Sequence, residues 1–230
     1  MTLIRQFDDA AVNDSLGDKS LDRGRHPGVQ EGLTGVICRV LRRFAGFRVY
    51  RILTLEPGNV PASFSLERSA LEGRVVCGDE LATLAGKHKD ISADFVARTA
   101  PKGDWCYAYF DGDKLASYGW YSYQPTRVGE EFDLEFPNEY AYMYRGFTER
   151  DYRGARLHGH GMVQAVLRVA NEGRRGLIGL IEVQNTASLR SADRIGYRRQ
   201  GIIITFRLFG RWRTFRTPKC RRSGCRLVCR

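Results

Sequence analysis

The sequence predicts a mixed α/β fold in which one parallel strand pair lies within a mostly antiparallel sheet. Three observations predict it. Residues 104–124 contain two aromatic, β-prone runs joined by Asp111-Gly112-Asp113, which is a strong hairpin signal. Residues 140–184 give a strand, a glycine-rich turn, a helix and an apolar strand, the order of a right-handed βαβ unit. Residues 197–218 indicate a second hairpin that turns near Gly210.

The elements before the first hairpin are less regular. Residues 1–32 are polar and predict a loose arm, and an amphipathic helix follows from Thr34. Its apolar face consists of Val36, Ile37, Val40, Leu41 and Phe44. Residues 47–57 alternate as a strand does and are stopped by Pro57 and Gly58. Residues 78–90 and 91–100 predict two short helices.

The remaining elements follow from periodicity. An acidic connection at 128–139 leads into a β-rich run at 140–148. A helix is expected over 162–173, with Gly173 as its stop, and its apolar face would contain Met162, Val163, Val166, Leu167 and Ala170. A buried strand at 175–185 and a short helix at 186–196 complete the unit before the last hairpin.

Length and composition indicate one core with extensions. The chain has 230 residues, 43% of them hydrophobic, which is enough for one domain of normal size. We expect an N-terminal arm and helix at 1–45, a main domain at 46–217 and a basic, cysteine-containing tail at 218–230. No apolar run of about 18 residues occurs and the N-terminus carries acidic residues early, so we expect a cytoplasmic protein without a transmembrane segment.

The positive charge is concentrated at the C-terminal end. The formal net charge is +11, but residues 194–230 contain twelve Lys or Arg and no Asp or Glu, which leaves the rest of the chain at −1. This pattern favours a solvated basic appendage with a weak anionic partner. Nucleic-acid binding through this segment is an alternative, and a homodimer is left open.

The cysteines predict a reduced protein. Cys38, Cys77 and Cys106 stand singly among apolar residues and indicate core positions. Cys220, Cys225 and Cys229 form C-x4-C-x3-C, which matches no zinc pattern because tetrahedral sites need four ligands. We therefore expect no metal there and a mobile tail with exposed thiols.

The turn at residues 152–162, YRGARLHGHGM, crowds glycines, arginines and histidines between a strand and a helix. Three interpretations compete. A helix N-terminus with glycines and arginines is suited to a pyrophosphate. His158 and His160 suggest a metal site, although side chains two residues apart on a helix point away from one another. The third interpretation is an ordinary glycine-rich turn.

Residues 142–201 resemble the core of the GNAT superfamily, the acyl-coenzyme A dependent N-acetyltransferases. In that family a strand leads to a loop with the pattern [QR]-x-x-G-x-[GA], then a helix, a strand and an Asn, with a small residue three positions later and Gly-aromatic eleven later. Arg153 starts such a loop here, and Asn185, Ser188, Gly196 and Tyr197 fall at the matching intervals. With the preceding elements, the resemblance covers roughly residues 46–217.

The resemblance implies a GNAT-like fold: a mostly antiparallel sheet with a central splayed parallel strand pair and helices on both faces. It also implies acetyl-coenzyme A, or another acyl-coenzyme A, as cosubstrate, an amine as acceptor and no metal. The cofactor-binding residues that it implies are Phe147, Thr148, Arg153, Gly154, Ala155, Arg156, Leu157, His158, Gly159, Asn185 and Ser188. Backbone N–H groups near Phe147 and Thr148 would bind the oxyanion.

Two positions depart from the family pattern. In the register that starts at Arg153, Arg156 and His158 stand where the family has Gly and Gly or Ala. A register three residues later, Arg156-x-x-Gly159-x-Gly161, fits the pattern literally, but we prefer the first because Tyr152-Arg153-Gly154 closes the strand-to-helix loop. The family's frequent proton-donating Tyr, seven residues after Asn185, is here Ala192.

The catalytic candidates are three. Glu182 is the first candidate for the base, because it is a carboxylate among apolar residues near the carboxyl end of its strand. Glu149 is the second. Tyr144, with Tyr142 as an alternative, is the candidate acid. The predicted activity is acyl transfer from acyl-coenzyme A to a primary amine; the alternatives are a catalytically silent coenzyme A-binding module and nucleic-acid binding.

Overall fold

In the computed structural model of the chain, residues 46–66 and 71–230 are described, so the predicted arm and the helix from Thr34 lie outside the described residues. The strands are β1 Arg48–Leu55, β2 Glu72–Cys77, β3 Trp105–Asp111, β4 Lys114–Ser122, β5 Thr126–Val128, β6 Phe132–Glu135, β7 Tyr140–Thr148, β8 Gly176–Glu182, β9 Arg198–Leu208, β10 Arg211–Arg216 and β11 Arg226–Cys229. The α-helices are α1 Ala62–Leu66, α2 Ala93–Thr99, α3 Leu157–Asn171, α4 Thr186–Ile195 and α5 Pro218–Arg222.

Eight strands form one sheet in the order β10-β9-β1-β8-β7-β4-β3-β2. Every neighbouring pair in it is antiparallel except β7 and β8, which run parallel. Helix α3 connects these two strands, which is the expected βαβ unit. The predicted fold class, a mostly antiparallel sheet with one central parallel pair, is therefore confirmed.

Alternation along the strands divides the core between the two faces of this sheet. The first face carries Tyr50, Ile52, Tyr142, Tyr144 and Leu180, and packs against α2, α5 and the small sheet β11-β6-β5. The second face carries Leu53, Leu55, Met143, Leu177 and Ile181, and packs against α3 and α4. Helices thus cover both faces, as expected.

Both predicted hairpins are confirmed. Strands β3 and β4 pair with Asp111 opposite Lys114, and Gly112 takes a φ of +55° in the turn. Strands β9 and β10 pair with Leu208 opposite Arg211, so the turn consists of Phe209 and Gly210.

Three predicted elements need correction. The first of the two short helices is a 3-10 helix at Gly78–Leu84, and strand β2 before it was not expected. Helix α3 begins at Leu157, five residues earlier than predicted, because Gly159 and Gly161 lie inside it. The acidic connection begins at the last residue of β5 and contains β6, where Phe132 and Leu134 are buried while Asp133 and Glu135 face outward.

The expectation of a mobile tail with exposed thiols was wrong for most of the tail. Residues 218–222 form α5, and β11 pairs with β6, with Leu227 opposite Leu134. Cys220 and Cys225 are fully buried in the core of the first face, whereas Cys229 is exposed. Of the three cysteines expected in the core, Cys106 is buried, Cys77 is exposed and so needs correction, and Cys38 lies outside the described residues. The division of the chain at residue 218 stays a prediction. Within the described residues, no helix is long and apolar enough to cross a membrane.

Candidate cofactor and catalytic site

The parallel strands β7 and β8 diverge toward their carboxyl ends. They pair over four residues, from Tyr140 opposite Gly176 to Met143 opposite Gly179. Beyond this point β7 stays paired with β4 as far as Thr148, and β8 stays paired with β1 as far as Glu182. Each strand therefore follows its antiparallel neighbour, and residues 144–148 are not paired with 180–182. The gap between these two unpaired segments is called the opening below.

A bulge in β7 lies where the parallel pairing stops. Trp120 of β4 lies opposite Arg145 and Tyr121 lies opposite Met143, so Tyr144 is the extra residue. Tyr144 packs in the first-face core, and the guanidinium of Arg145 lies 4.1 Å from the centre of the Phe95 ring on the same face. Because a bulge bends the strand that carries it, this one directs β7 away from β8.

The exposed backbone of β7 in the opening can be assigned from its neighbour. Glu149 donates its backbone N–H to Ala116 of β4 at 2.9 Å. Since N–H groups of successive residues in an extended chain point to opposite sides, Thr148 and Gly146 direct theirs away from β4, toward the opening. The same alternation turns the N–H of Phe147 toward β4. Thr148 rather than Phe147 is thus placed to donate to an anion in the opening.

Helix α3 starts beside this opening. The backbone N–H of His160 donates to the carbonyl of Arg156 at 3.0 Å, which is the first hydrogen bond of the helix. The N–H groups of Leu157, His158 and Gly159 precede it and have no helical acceptor. The side chain of His158 lies against Gly146, so a Cβ at Gly146 would stand 3.2 Å from His158 Nδ1 and closer still to Cε1. The positive end of the helix therefore faces the diverging part of β7.

Arg156 has an unusual backbone conformation that bears on the choice between the two registers of the loop motif. Its φ is +54°, in the left-handed region that favours glycine, and Gly154 has a φ of +87°. In the register starting at Arg153, position 156 is where the family pattern has glycine. This is the position at which the present chain needs a left-handed residue. The backbone thus supports that register.

The glycines of the other register have a packing role. Gly159 leaves room for the ring of Phe64, whose Cε1 would lie 2.7 Å from a Cβ at position 159. A Cβ at Gly161 would lie 3.5 Å from the rings of Tyr107 and Tyr109. Both glycines therefore let α3 approach its neighbours, inside the helix and away from its exposed amides.

The charged side chains at this end of α3 differ in exposure. Arg156 is exposed, while Arg153 is half-buried and its Nε lies 3.5 Å from the carbonyl of Thr148. Burial lowers the pKa of His158 to about 4, so its imidazole is neutral near pH 7. The ring of His160 packs 5.5 Å from that of Phe64. In the described part of the chain, no three His, Cys, Asp or Glu side chains are grouped as metal ligands.

Glu182 lies on the other side of the opening. It ends β8 opposite Tyr50, on the first face of the sheet, and its side chain is half-buried. Burial acts to lower the pKa of the neighbouring Arg48. The Tyr50 hydroxyl and the carboxylates of Glu131 and Glu182 act in the opposite direction, and together they leave the pKa of Arg48 above its ordinary value. Glu182 thus belongs to a small polar cluster at the edge of the opening.

The two candidate tyrosines of β7 have different surroundings. Tyr144 donates its hydroxyl to Asp104 Oδ2 at 2.9 Å. Burial, followed by the charge of Asp104, raises the pKa of Tyr144 well above its ordinary value. Burial also raises the pKa of Tyr142, whose hydroxyl has no hydrogen-bond partner among the described residues. Tyr144 can give its proton to a leaving group only by exchanging its bond to Asp104.

His88 is a buried polar residue beside β7 that the sequence analysis did not single out. It follows the 3-10 helix, and its ring lies 4.3 Å from that of Phe147 on the first face. Its Nδ1 accepts from the N–H of Asp90 at 3.1 Å and lies 3.1 Å from the Tyr118 hydroxyl. Burial lowers the pKa of His88 against the opposing charges of Asp90 and Glu149. No sequence spacing marks this histidine, because its neighbours come from distant strands.

The residues of the Asn185 motif shape helix α4. Asn185 caps the helix by accepting the N–H of Ser188 at 3.0 Å. Gly196 ends it with a φ of +102° and lies too close to the carbonyl of Asn59 for any side chain. Tyr197 is buried and donates to Met162 Sδ at 3.4 Å. Binding of a cofactor by Asn185 and Ser188 stays a prediction beside this structural role.

Comparison with known proteins finds a similarity to solved structures of acetyltransferases, with TM-scores below 0.5. No protein-family model and no curated protein matches the sequence. A GCN5-related N-acetyltransferase-like protein from Streptococcus suis is 15% identical over 80% of this chain and 68% of its own, with a TM-score of 0.46. A GNAT-family acetyltransferase from Colwellia psychrerythraea is 15% identical over 70% of this chain and 56% of its own, with a TM-score of 0.48.

A third structure was solved with a coenzyme A derivative. AAC(6')-Iy, in complex with the bisubstrate analogue CoA-S-monomethyl-acetylneamine, is 14% identical over 56% of this chain and 92% of its own, with a TM-score of 0.43. The resemblance of the chain to the GNAT superfamily is carried by the sequence motif that runs from Arg153 to Tyr197.

Proposed function

We propose that this protein transfers an acyl group from acyl-coenzyme A to an amine. The observation that carries the proposal is the divergence of β7 and β8 beside the N-terminus of α3, where Arg156 is left-handed. An opening between strands suits a long, thin pantetheine arm. A helix N-terminus with free N–H groups and arginines suits the pyrophosphate to which that arm is attached.

The residues of the loop would hold the pyrophosphate. The N–H groups of Leu157, His158 and Gly159 point out of the helix, and those of Gly154 and Ala155 precede them in the loop. Arg153 and Arg156 add positive charge at the same end. The neutral imidazole of His158, beside Gly146, forms one wall of the opening.

The reaction requires a base for the amine, a hydrogen-bond donor to the oxyanion and a proton source for the thiolate. The amine nitrogen bonds to the thioester carbon, the carbon–sulfur bond breaks, and the proton lost by the amine is balanced by one gained by the thiolate. The N–H of Thr148, which points into the opening, would stabilise the oxyanion. Glu182, on the first face at the end of β8, would take the amine proton, with Glu149 as the second candidate.

The position at which the family often has a proton-donating tyrosine for the thiolate is Ala192 in this chain. Ala192 is buried in the second-face core, and its carbonyl accepts the N–H groups of Gly196 and Tyr197. Tyr144 is the candidate among the described residues, through exchange of its bond to Asp104. Ala192 also favours the second candidate function, a coenzyme A-binding module without turnover.

Release of free thiol from acetyl-coenzyme A in the presence of a panel of primary amines tests the proposal. The wild type should release thiol only when an amine is present, and Glu182→Gln should lower kcat by about a hundredfold or more. Glu72→Gln, on the exposed outer strand β2, is the matched control and should leave kcat unchanged. Tight binding without amine-dependent release would favour the silent module, and absence of binding would refute both.

A further inference from the structure

The turn between β9 and β10 presents apolar side chains to solvent. Phe209 is 95% exposed and Leu208 is 47% exposed at its tip. The described residues include five exposed large hydrophobic side chains, and three of them, Leu208, Phe209 and Phe215, belong to this hairpin. The other side of the hairpin is anchored, because Trp212 packs 5.2 Å from Phe132. An anchored hairpin with an apolar tip is a surface feature that packing among the described residues does not explain.

Phe209 is poorly suited to the turn that it occupies. Its φ is +47° and that of Gly210 is +76°, two successive left-handed residues as in a type I′ turn. Asn, Asp and Gly are the residues preferred at the first of these positions. A phenylalanine there strains the backbone and buries nothing. Packing among residues 46–66 and 71–230 therefore gives no reason for a phenylalanine at this position.

Arginines surround the apolar tip. Arg211 lies opposite Leu208 and Arg213 lies opposite Phe206, on the same face of the hairpin. Within residues 46–66 and 71–230, neither has an ion pair with an acidic group, whereas Arg226 pairs with Glu135 and Arg230 with Asp133. Residues 194–230 contain no Asp or Glu. The tip is therefore apolar at its end and cationic around it.

We propose that this hairpin tip, with Leu208 and Phe209 at its end and Arg211 and Arg213 beside it, inserts into the surface of an anionic lipid bilayer. A convex tip matches the layered polarity of a membrane interface: the apolar end enters the acyl boundary while the arginines stay at the phosphates. This inference does not depend on the proposed acyl transfer.

Two other partners, nucleic acid and a second copy of the chain, would match fewer features of the hairpin tip. Nucleic acid would use the arginines and could stack on Phe209, but it would leave Leu208 in water. A second copy paired along the edge strand β10 would bring Arg211, Arg213 and Arg216 of both chains together, and such edge charges oppose strand pairing. The anionic bilayer satisfies both the apolar end and the charges.

Co-sedimentation of the full chain with vesicles tests the inference. Wild-type protein should bind phosphatidylcholine vesicles containing roughly a third phosphatidylserine and bind pure phosphatidylcholine much more weakly. Phe209→Asn should lower the partition coefficient about tenfold. Because Asn suits the turn, this variant should fold at least as stably as the wild type, so that lost binding cannot result from unfolding. Arg211→Gln and Arg213→Gln should each lower binding about fivefold.

A tryptophan at the tip gives a second readout. The fluorescence of Phe209→Trp should shift to the blue on anionic vesicles, whereas Val228→Trp, at an exposed position of β11, should not shift. Equal binding by the wild type and Phe209→Asn would overturn the inference. The inference would also be overturned if the protein did not bind the vesicles and instead bound an oligonucleotide, or associated with itself, in a way that depends on Phe209.

Discussion

The imidazole of His158 lies against Gly146, and this contact joins the first turn of α3 to the part of β7 that has left β8. A side chain at position 146 would overlap the imidazole. The contact therefore places the first N–H groups of the helix, which have no acceptor within it, beside the opening in the sheet. This arrangement suits a pyrophosphate with a long arm.

The burial of His158 predicts a pH-dependent stability. Its pKa is about 4 in the folded protein and ordinarily about 6.5, so the unfolded chain binds the proton more readily between these values. The free energy of unfolding should be highest above pH 6.5 and should fall by about 3 kcal/mol as the pH drops to 4. Urea unfolding at a series of pH values measures this fall.

The variant His158→Gln should make that pH profile shallower. Burial also lowers the pKa of His88, so part of the slope should remain and should disappear in the double variant with His88→Gln. An unchanged profile in His158→Gln would show that the imidazole is solvated, in conflict with its position beside Gly146.

The tyrosines of β7 predict opposite effects of the same chemical change. Tyr144→Phe removes the donor to the buried Asp104 and should lower the free energy of unfolding by about 1–3 kcal/mol. Tyr142→Phe removes a hydroxyl that has no hydrogen-bond partner among the described residues, so stability should stay within about 0.5 kcal/mol or rise. Chemical denaturation measures both, and equal losses would contradict the assigned contacts.

The left-handed backbone of Arg156 can be tested independently of its side chain. Arg156→Ile and Arg156→Asn lose the same arginine, but a β-branched residue tolerates a φ of +54° poorly, so the Ile variant should be less stable by about 1–2 kcal/mol. At Arg153, whose φ is −68°, the same pair should not show this order. If Ile and Asn were equivalent at both positions, the left-handed assignment would be wrong.

The folded C-terminal segment predicts which thiols react. Cys77 and Cys229 are exposed and should be alkylated rapidly in the native protein at neutral pH. Cys106, Cys220 and Cys225 are buried, and burial raises the pKa of Cys225 to about 11, so these three should react only after denaturant is added. Peptide mass spectrometry identifies the labelled residues. Native labelling of Cys220 or Cys225 would instead support a mobile tail.

Local patterns predicted the elements that local residues determine. The Asp111-Gly112-Asp113 turn and the apolar run at 175–185 gave a hairpin and a parallel strand in the right order. Phe132 and Leu134 also alternate with acids, so β6 had a strand pattern that its acidic composition obscured. Gly159 and Gly161 of α3 suggested a turn in the sequence. Their role inside a helix is visible only in the structure, where they leave room for the rings of Phe64, Tyr107 and Tyr109.

The site required contacts that no sequence pattern encodes. The loop motif placed the phosphate-binding candidates at the start of a helix, and a helix does begin there, at Leu157. His88 escaped notice because Phe147 and Tyr118, which surround it, lie on other strands. The C-terminal segment was misinterpreted because its charge was considered before its burial, although Cys220, Cys225 and Leu227 are core residues.

The most direct test of the site is calorimetric titration of the full chain with acetyl-coenzyme A, comparing the wild type with Arg156→Glu and Arg174→Glu. Both substitutions change the charge equally, but Arg174 follows the opposite end of α3, about 22 Å away. We predict saturable binding by the wild type, retention in Arg174→Glu, and at least a tenfold weaker affinity in Arg156→Glu. No binding by the wild type, or equal losses in both variants, would contradict a pyrophosphate site at the start of α3.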